Sequence, residues 1–183
     1  MEKDLFGNVK KKRKTKVESF LAKRDKETFS KRVERINYLN KIIPKNSSFL
    51  FSIEMNYLIS EVIECFINGQ FVSTIILSQS FFEQWLHNFL ISKGYEKEAK
   101  KGLKVILGVV EKNKYLPKSI VNKIDEIRKI RNPFTHLKSN DYEYLLTRQT
   151  YMKQIEPDEY LLIKSKDAIG LIYQVPALLK FVS

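Results

Sequence analysis

Residues 49–94 read FLFSIEMNYLISEVIECFINGQFVSTIILSQSFFEQWLHNFLISKG, and their apolar pattern is too long and too continuous for strands. Asn68-Gly69 divides the stretch, because glycine readily takes the left-handed conformation that ends a helix. Gly94 closes the second half in the same way. Each half is apolar on most of its faces, as expected of helices buried on several sides. Two such helices joined by a tight turn predict the antiparallel central hairpin of a helical bundle.

The flanking sequence extends this pattern. Upstream, DKETFSKRVERINYLNKI spaces Phe29, Val33, Ile36, Leu39 and Ile43 at three and four, which makes one apolar stripe. Pro44 breaks it, and Ser47 or Ser48 is placed to cap the next helix. Downstream, KKGLKVILGVVEKN is a shorter amphipathic piece. After Pro117, SIVNKIDEIRKIRN aligns Val121, Ile124, Ile127 and Ile130 on one face. That helix is expected to stop at Asn132, since the residue before a proline avoids the α region. Residues 139–164 show no sustained period and read as a long loop holding at most one short helix. SKDAIGLIYQVPALLKFV predicts a terminal helix capped by Ser165 and kinked or shortened by Pro176. The expected fold class is all-α, a bundle of about five helices over residues 26–183.

Composition narrows the functional classes. The chain has 183 residues, 43% hydrophobic, with a net charge of +12. Residues 1–35 hold 13 Lys/Arg against 6 Asp/Glu, so more than half of the excess charge lies there. Residues 1–25, with the run KKKRKTK, read as a flexible basic arm that attracts polyanions or merely aids solubility. No apolar run approaches the roughly 18 residues of a membrane span, and MEKDLFGNVKKKRK lacks the apolar core expected of a secretory signal. One cysteine, Cys65, and two histidines cannot build a structural zinc site within one chain. No metal or other cofactor is expected, and the cytoplasm is the expected location.

The chemistry concentrates at Arg131-Asn132-Pro133-Phe134-Thr135-His136. On one uninterrupted helix, side chains five apart point about 140° away from each other. If Asn132 instead caps a new helix with Pro133 at its first position, Arg131 and His136 converge on one elbow. A helix start there attracts anions and disfavours imidazolium. A guanidinium grips phosphate oxygens in two places, and a neutral imidazole accepts a proton. Arg131 and His136 together are a workable kit for RNA cleavage by the ribose 2′-hydroxyl. The competing reading pairs Arg131 with Asp125 or Glu126 and leaves His136 to cap a turn.

This hexapeptide resembles the R-x4–6-H motif of HEPN domains, small all-α bundles found mostly in prokaryotes. They include ribonuclease toxins of toxin–antitoxin, abortive-infection and CRISPR-associated systems. The resemblance implies Arg131 and His136 as catalytic residues, with Asn132 as a supporting polar residue. It also implies a homodimer whose two motifs face each other, metal-independent endoribonuclease activity, and a 2′,3′-cyclic phosphate product. An antitoxin or defence-system protein is the implied further partner. The segment 139–164 and the basic arm depart from the family pattern, so substrate and partner stay open. The alternative class is a catalytically silent helical module that binds RNA or protein.

Other residues are candidates from pattern alone. Gln79, Glu83 and His87 recur every four positions on a mostly apolar helix, which is either its wet side or a cleft wall where Glu83 supports the motif. Trp85 with Phe81, Phe82 and Phe89 reads as core. Arg128, one turn before Arg131, and Lys138, Arg148 and Lys153 beyond it are candidate RNA contacts. Tyr142, Tyr144 and Tyr151 interleave with them as groups that stack on bases, or as an ordinary surface loop.

Overall fold

The structure is a computed structural model and describes residues 15–44 and 52–179. Eight helices and no strands make up the described residues. This exceeds the expected five: beside five long helices there are three short ones, α4 (Glu96–Ala99), α5 (Leu103–Lys112) and α7 (Leu146–Lys153), of which α5 matches the amphipathic piece KKGLKVILGVVEKN. Residues 1–14, which hold most of the basic run, lie outside the described residues, as do Ser47 and Ser48.

Helix α1 (Lys16–Ile42) starts well before residue 26, so residues 16–25, read from the sequence as part of a flexible or loosely attached arm, are helical. The cause is a capping box. The Thr15 hydroxyl accepts from Glu18 N at 3.1 Å, and the Glu18 carboxylate accepts from Thr15 N at 2.6 Å. The helix is still poorly anchored along that half. Val17, Phe20, Leu21 and Phe29 are exposed, and Leu39 alone is buried. The body grips it from Arg35 onward. Arg35 donates to Ile67 O at 2.6 Å and lies over the Phe71 ring, and the Tyr38 hydroxyl donates to Lys166 O.

Helix α2 (Ile53–Asn68) is capped by Ser52 and ends at Gly69, whose φ of 79° is the left-handed turn that a side chain would strain. Helix α3 (Phe71–Ser92) returns along it and forms the axis of the bundle. Eleven of its residues are buried, and it packs against α2, α4, α5, the helix Lys118–Thr135 (α6) and the helix Pro157–Leu178 (α8). Helices α4 (Glu96–Ala99) and α5 (Leu103–Lys112) then lead into α6 (Lys118–Thr135), which lays Ile120, Val121, Ile124, Ile127 and Ile130 on the core.

Residues 139–164 are more ordered than their composition indicated. Helix α7 (Leu146–Lys153) and the start of α8 (Pro157–Leu178) lie within them. Contacts beyond helical spacing do this work: buried Gln149 donates to Glu143 O at 3.0 Å and accepts from the buried Tyr160 hydroxyl at 3.3 Å. Pro157 takes the first position of α8, which has no need of its missing N–H. Ser165 is therefore not a cap. It is fully buried within α8, with its hydroxyl on Phe71 O at 3.3 Å. Pro176 also stays inside the helix. Lys164 ties α8 to α6 through Glu126 at 2.8 Å.

Candidate functional site at the end of helix α6

The isoleucine stripe of α6 turns Arg131 toward the polar edge of α3. There Gln79, only 2% exposed, accepts from Arg131 Nε through its side-chain oxygen. Gln79 also donates to Glu83 across a longer 3.5 Å. Arg131 Nη1 donates to the Thr135 hydroxyl at 2.9 Å and to His136 Nε2 at 3.1 Å. A guanidinium only donates, so Nε2 is the accepting nitrogen and the ring proton in this arrangement is on Nδ1.

The elbow is built differently from its sequence-based expectation. Helix α6 does not stop at Asn132 but runs through Pro133 to Thr135, and His136 N closes the last turn on Asn132 O at 2.9 Å. Asn132 is thus no N-cap, and His136 begins no helix. It takes extended backbone (φ −140°, ψ 138°) as the residue after α6, which swings its ring back onto Arg131. The proline is tolerated because it sits in the final turn. Its missing N–H would have bonded Lys129 O, and the Tyr142 hydroxyl donates to that carbonyl instead, at 3.1 Å. The segment of His136 therefore offers it no helix start. A different helix start does face the pair: Gly102–Val105, at the head of α5, lines the same cleft.

The cleft has a volume of about 260 Å³ and is lined by Gln79, Glu83, Gly102, Leu103, Lys104, Val105, Arg128, Arg131, Asn132 and His136. Both partners proposed for Arg131 in the competing reading are engaged elsewhere. Asp125 holds Arg128 at 2.7 Å and Lys129 at 2.8 Å, and Glu126 holds Lys164. Among the described residues no carboxylate forms an ion pair with Arg131. Its three acceptors are neutral, so its charge stays available to an anion.

The remaining candidates disperse. Arg128 reaches the cleft but is paired with Asp125. Burial pushes the Asp125 carboxyl up, but the bonds from Lys129 and Arg128 outweigh it and hold the group below its ordinary range. Lys138 lies over the Tyr142 ring and Lys129 over Tyr144. Both tyrosines line a separate hollow of about 510 Å³ that shares Arg128 and Asn132 with the cleft. Arg148 donates to Asp141 O at 2.6 Å, and Lys153 is exposed at the end of α7. Neither lines the cleft. His87 lines an adjoining groove, with Nδ1 on Ala99 O at 2.8 Å.

Gln79 was legible only as one of a polar stripe along α3 with Glu83 and His87; its bond to Arg131 was not. Among the described residues no group of three or more His, Cys, Asp or Glu is arranged to hold a metal ion, and no helix is long and apolar enough to cross a membrane. No family model matches the chain, and no curated protein or solved structure matches it significantly.

Proposed function

We propose that the chain is a HEPN-type endoribonuclease that cleaves RNA without a metal ion, using Arg131 and His136. The observation that carries this reading is the 3.1 Å contact between Arg131 Nη1 and His136 Nε2, on an arginine with no carboxylate partner among the described residues. In the proposed reaction an RNA phosphate draws the guanidinium N–H groups onto its oxygens, which releases the Nε2 lone pair. His136 then takes the proton of the ribose 2′-hydroxyl, and the 2′-oxygen bonds to phosphorus. The bond from phosphorus to the 5′-oxygen breaks, and that oxygen takes a proton from an imidazolium, that of His136 or of its counterpart in a second copy, as it leaves. The products are a 2′,3′-cyclic phosphate and a 5′-hydroxyl. Arg131 offsets the charge that builds on phosphorus in between.

One imidazole per cleft serves more readily as base or as acid than as both, which favours a homodimer with the two motifs face to face. Leu137, next to His136, is wholly exposed, and Val105 on the cleft lip is partly so, an apolar rim suited to a mating surface. A role as a toxin or antiphage effector in the cytoplasm, held in check by an antitoxin or defence partner, follows from the resemblance of Arg131–His136 to the family motif.

The deciding experiment incubates purified protein with total RNA in excess EDTA, wild type beside Arg131→Ala and His136→Ala. Cleavage by the wild type alone, leaving cyclic-phosphate ends, supports the reading. RNA binding by all three proteins with no cleavage by any would make this a silent RNA-binding module.

A further inference from the structure

A groove of about 730 Å³ adjoins the cleft, and Glu83 and Gly102 line both. One wall is the polar edge of α3, carrying Glu83, Gln84, His87 and Asn88. Another is formed by Lys100 and Lys101, which precede α5, and Ser52 and Glu54 at the start of α2 add a second carboxylate. Its lining is made of polar and charged side chains and their apolar stems, with Ala99 as its one apolar side chain, and that one is buried. It offers hydrogen-bonding groups flanked by two ammonium groups. Because Ala99 O can only accept, His87 Nδ1 carries the ring proton, and in the neutral ring Nε2 is an acceptor. Glu83 forms no ion pair among the described residues. Its one described hydrogen bond is the long contact from Gln79, so both of its oxygens keep acceptor capacity.

We infer that this groove binds the nucleotide next to the scissile phosphate and prefers guanine. The inference rests on the RNA-cleaving reading for its placement along the strand. Glu83 presents two acceptors side by side. Guanine alone among the four bases presents two neighbouring N–H donors, N1–H and the 2-amino group, on its Watson–Crick edge. Uracil presents one such N–H, while adenine and cytosine each pair an amino group with a ring acceptor. The carboxamides of Gln84 and Asn88 adapt to either donor or acceptor beside them, and Lys100 and Lys101 take the phosphate. A carboxylate at this point also repels the backbone, so the base and not the phosphate turns toward α3.

The chain has two histidines, one in the cleft and one in the groove, which gives each cavity its own reporter. The full chain is titrated with 3′-GMP, 3′-AMP, 3′-CMP and 3′-UMP while the imidazole resonances are followed by NMR. The His87 signal is expected to move with 3′-GMP at a concentration at least tenfold lower than with any of the other three nucleotides, and Glu83→Gln to erase that difference. In parallel, cut sites in a randomised RNA are mapped for wild type and Glu83→Gln. Wild-type cuts are expected to fall beside guanine, and those of the variant to spread over all four bases. A His87 signal that does not move, or moves equally with all four nucleotides, overturns the inference. Guanine selection at His87 without RNA cleavage by the wild type would leave the groove standing and remove the nuclease. Cleavage without base preference and with His87 unmoved would do the reverse.

Discussion

Arg128 and Arg131 stand one turn apart on α6, and both reach the same cleft, yet their surroundings differ. Arg128 bonds Asp125 through Nε and Nη2, both at 2.7 Å, and Lys129 shares the same carboxylate. Arg131 is held by a carboxamide, a hydroxyl and an imidazole, none of them charged in this arrangement. A neutralised guanidinium braces the helix. One fixed by neutral acceptors is held in place with its field intact, which is the condition an incoming phosphate requires. The difference lies in the partners and not in the arginines.

Removing the uncompensated charge has the largest expected effect. Arg131→Ala and His136→Ala should each lower RNA cleavage by roughly 100- to 1,000-fold with no change in fold, measured by initial rates on a labelled RNA beside circular dichroism. A normal rate in either would end the catalytic reading of this pair. Gln79→Glu makes Arg131 resemble Arg128 by giving it a carboxylate at a buried position. Cleavage should fall by roughly 10- to 100-fold, the equivalent of the 1.5–3 kcal/mol of a hydrogen bond to a charged group. Gln79→Met, which only removes the acceptor, separates loss of positioning from loss of charge.

The opposite change sharpens the contrast from the other side. Asp125→Ala releases Arg128 and Lys129, at a stability cost of about 1–2 kcal/mol, since the pair is only partly shielded from water. RNA affinity should rise, and the salt dependence of binding should steepen by about one or two released counterions, read from log Kd against log salt. Tyr142→Phe leaves Lys129 O without the donor that stands in for the proline. The expected loss is about 1 kcal/mol in urea unfolding, while the same substitution at exposed Tyr151 should cost nothing measurable.

The smallest effect is one of pH. The Asp125 carboxyl is depressed in the folded chain, so its contribution is complete above the ordinary aspartate value of 3.8 and is lost as pH falls below it. In Asp125→Asn the midpoint of acid unfolding should lose this component, shifting slightly toward higher pH.

Helical periodicity made the interior legible. The α2–α3 pair with its stop at Gly69, the amphipathic α5 and the isoleucine face of α6 are where the spacing indicated. Helix ends were less legible where distant groups intervene. α6 crosses Pro133 because Tyr142, nine residues on, supplies the missing donor, and Phe134 packs against the core. α7 and the start of α8 form in an aperiodic stretch because Gln149 and Tyr160 find each other in the interior. Thr15 was a local signal: its capping box lies wholly within four residues of sequence.

By itself the sequence determined an all-helical chain with a buried hairpin at its centre, and it set an arginine and a histidine close together near the end of an amphipathic helix. These are properties of neighbours, governed by spacing over a few residues. Only the tertiary structure decided which of several nearby carboxylates went to which cation, and that Gln79, 52 residues away, became the acceptor for Arg131. The physical reason is competition. Asp125 goes to the cations three and four residues on, Glu126 leaves nearby Arg131 for Lys164, 38 residues away, and the packing of α3 and α8 against α6 settles the choice.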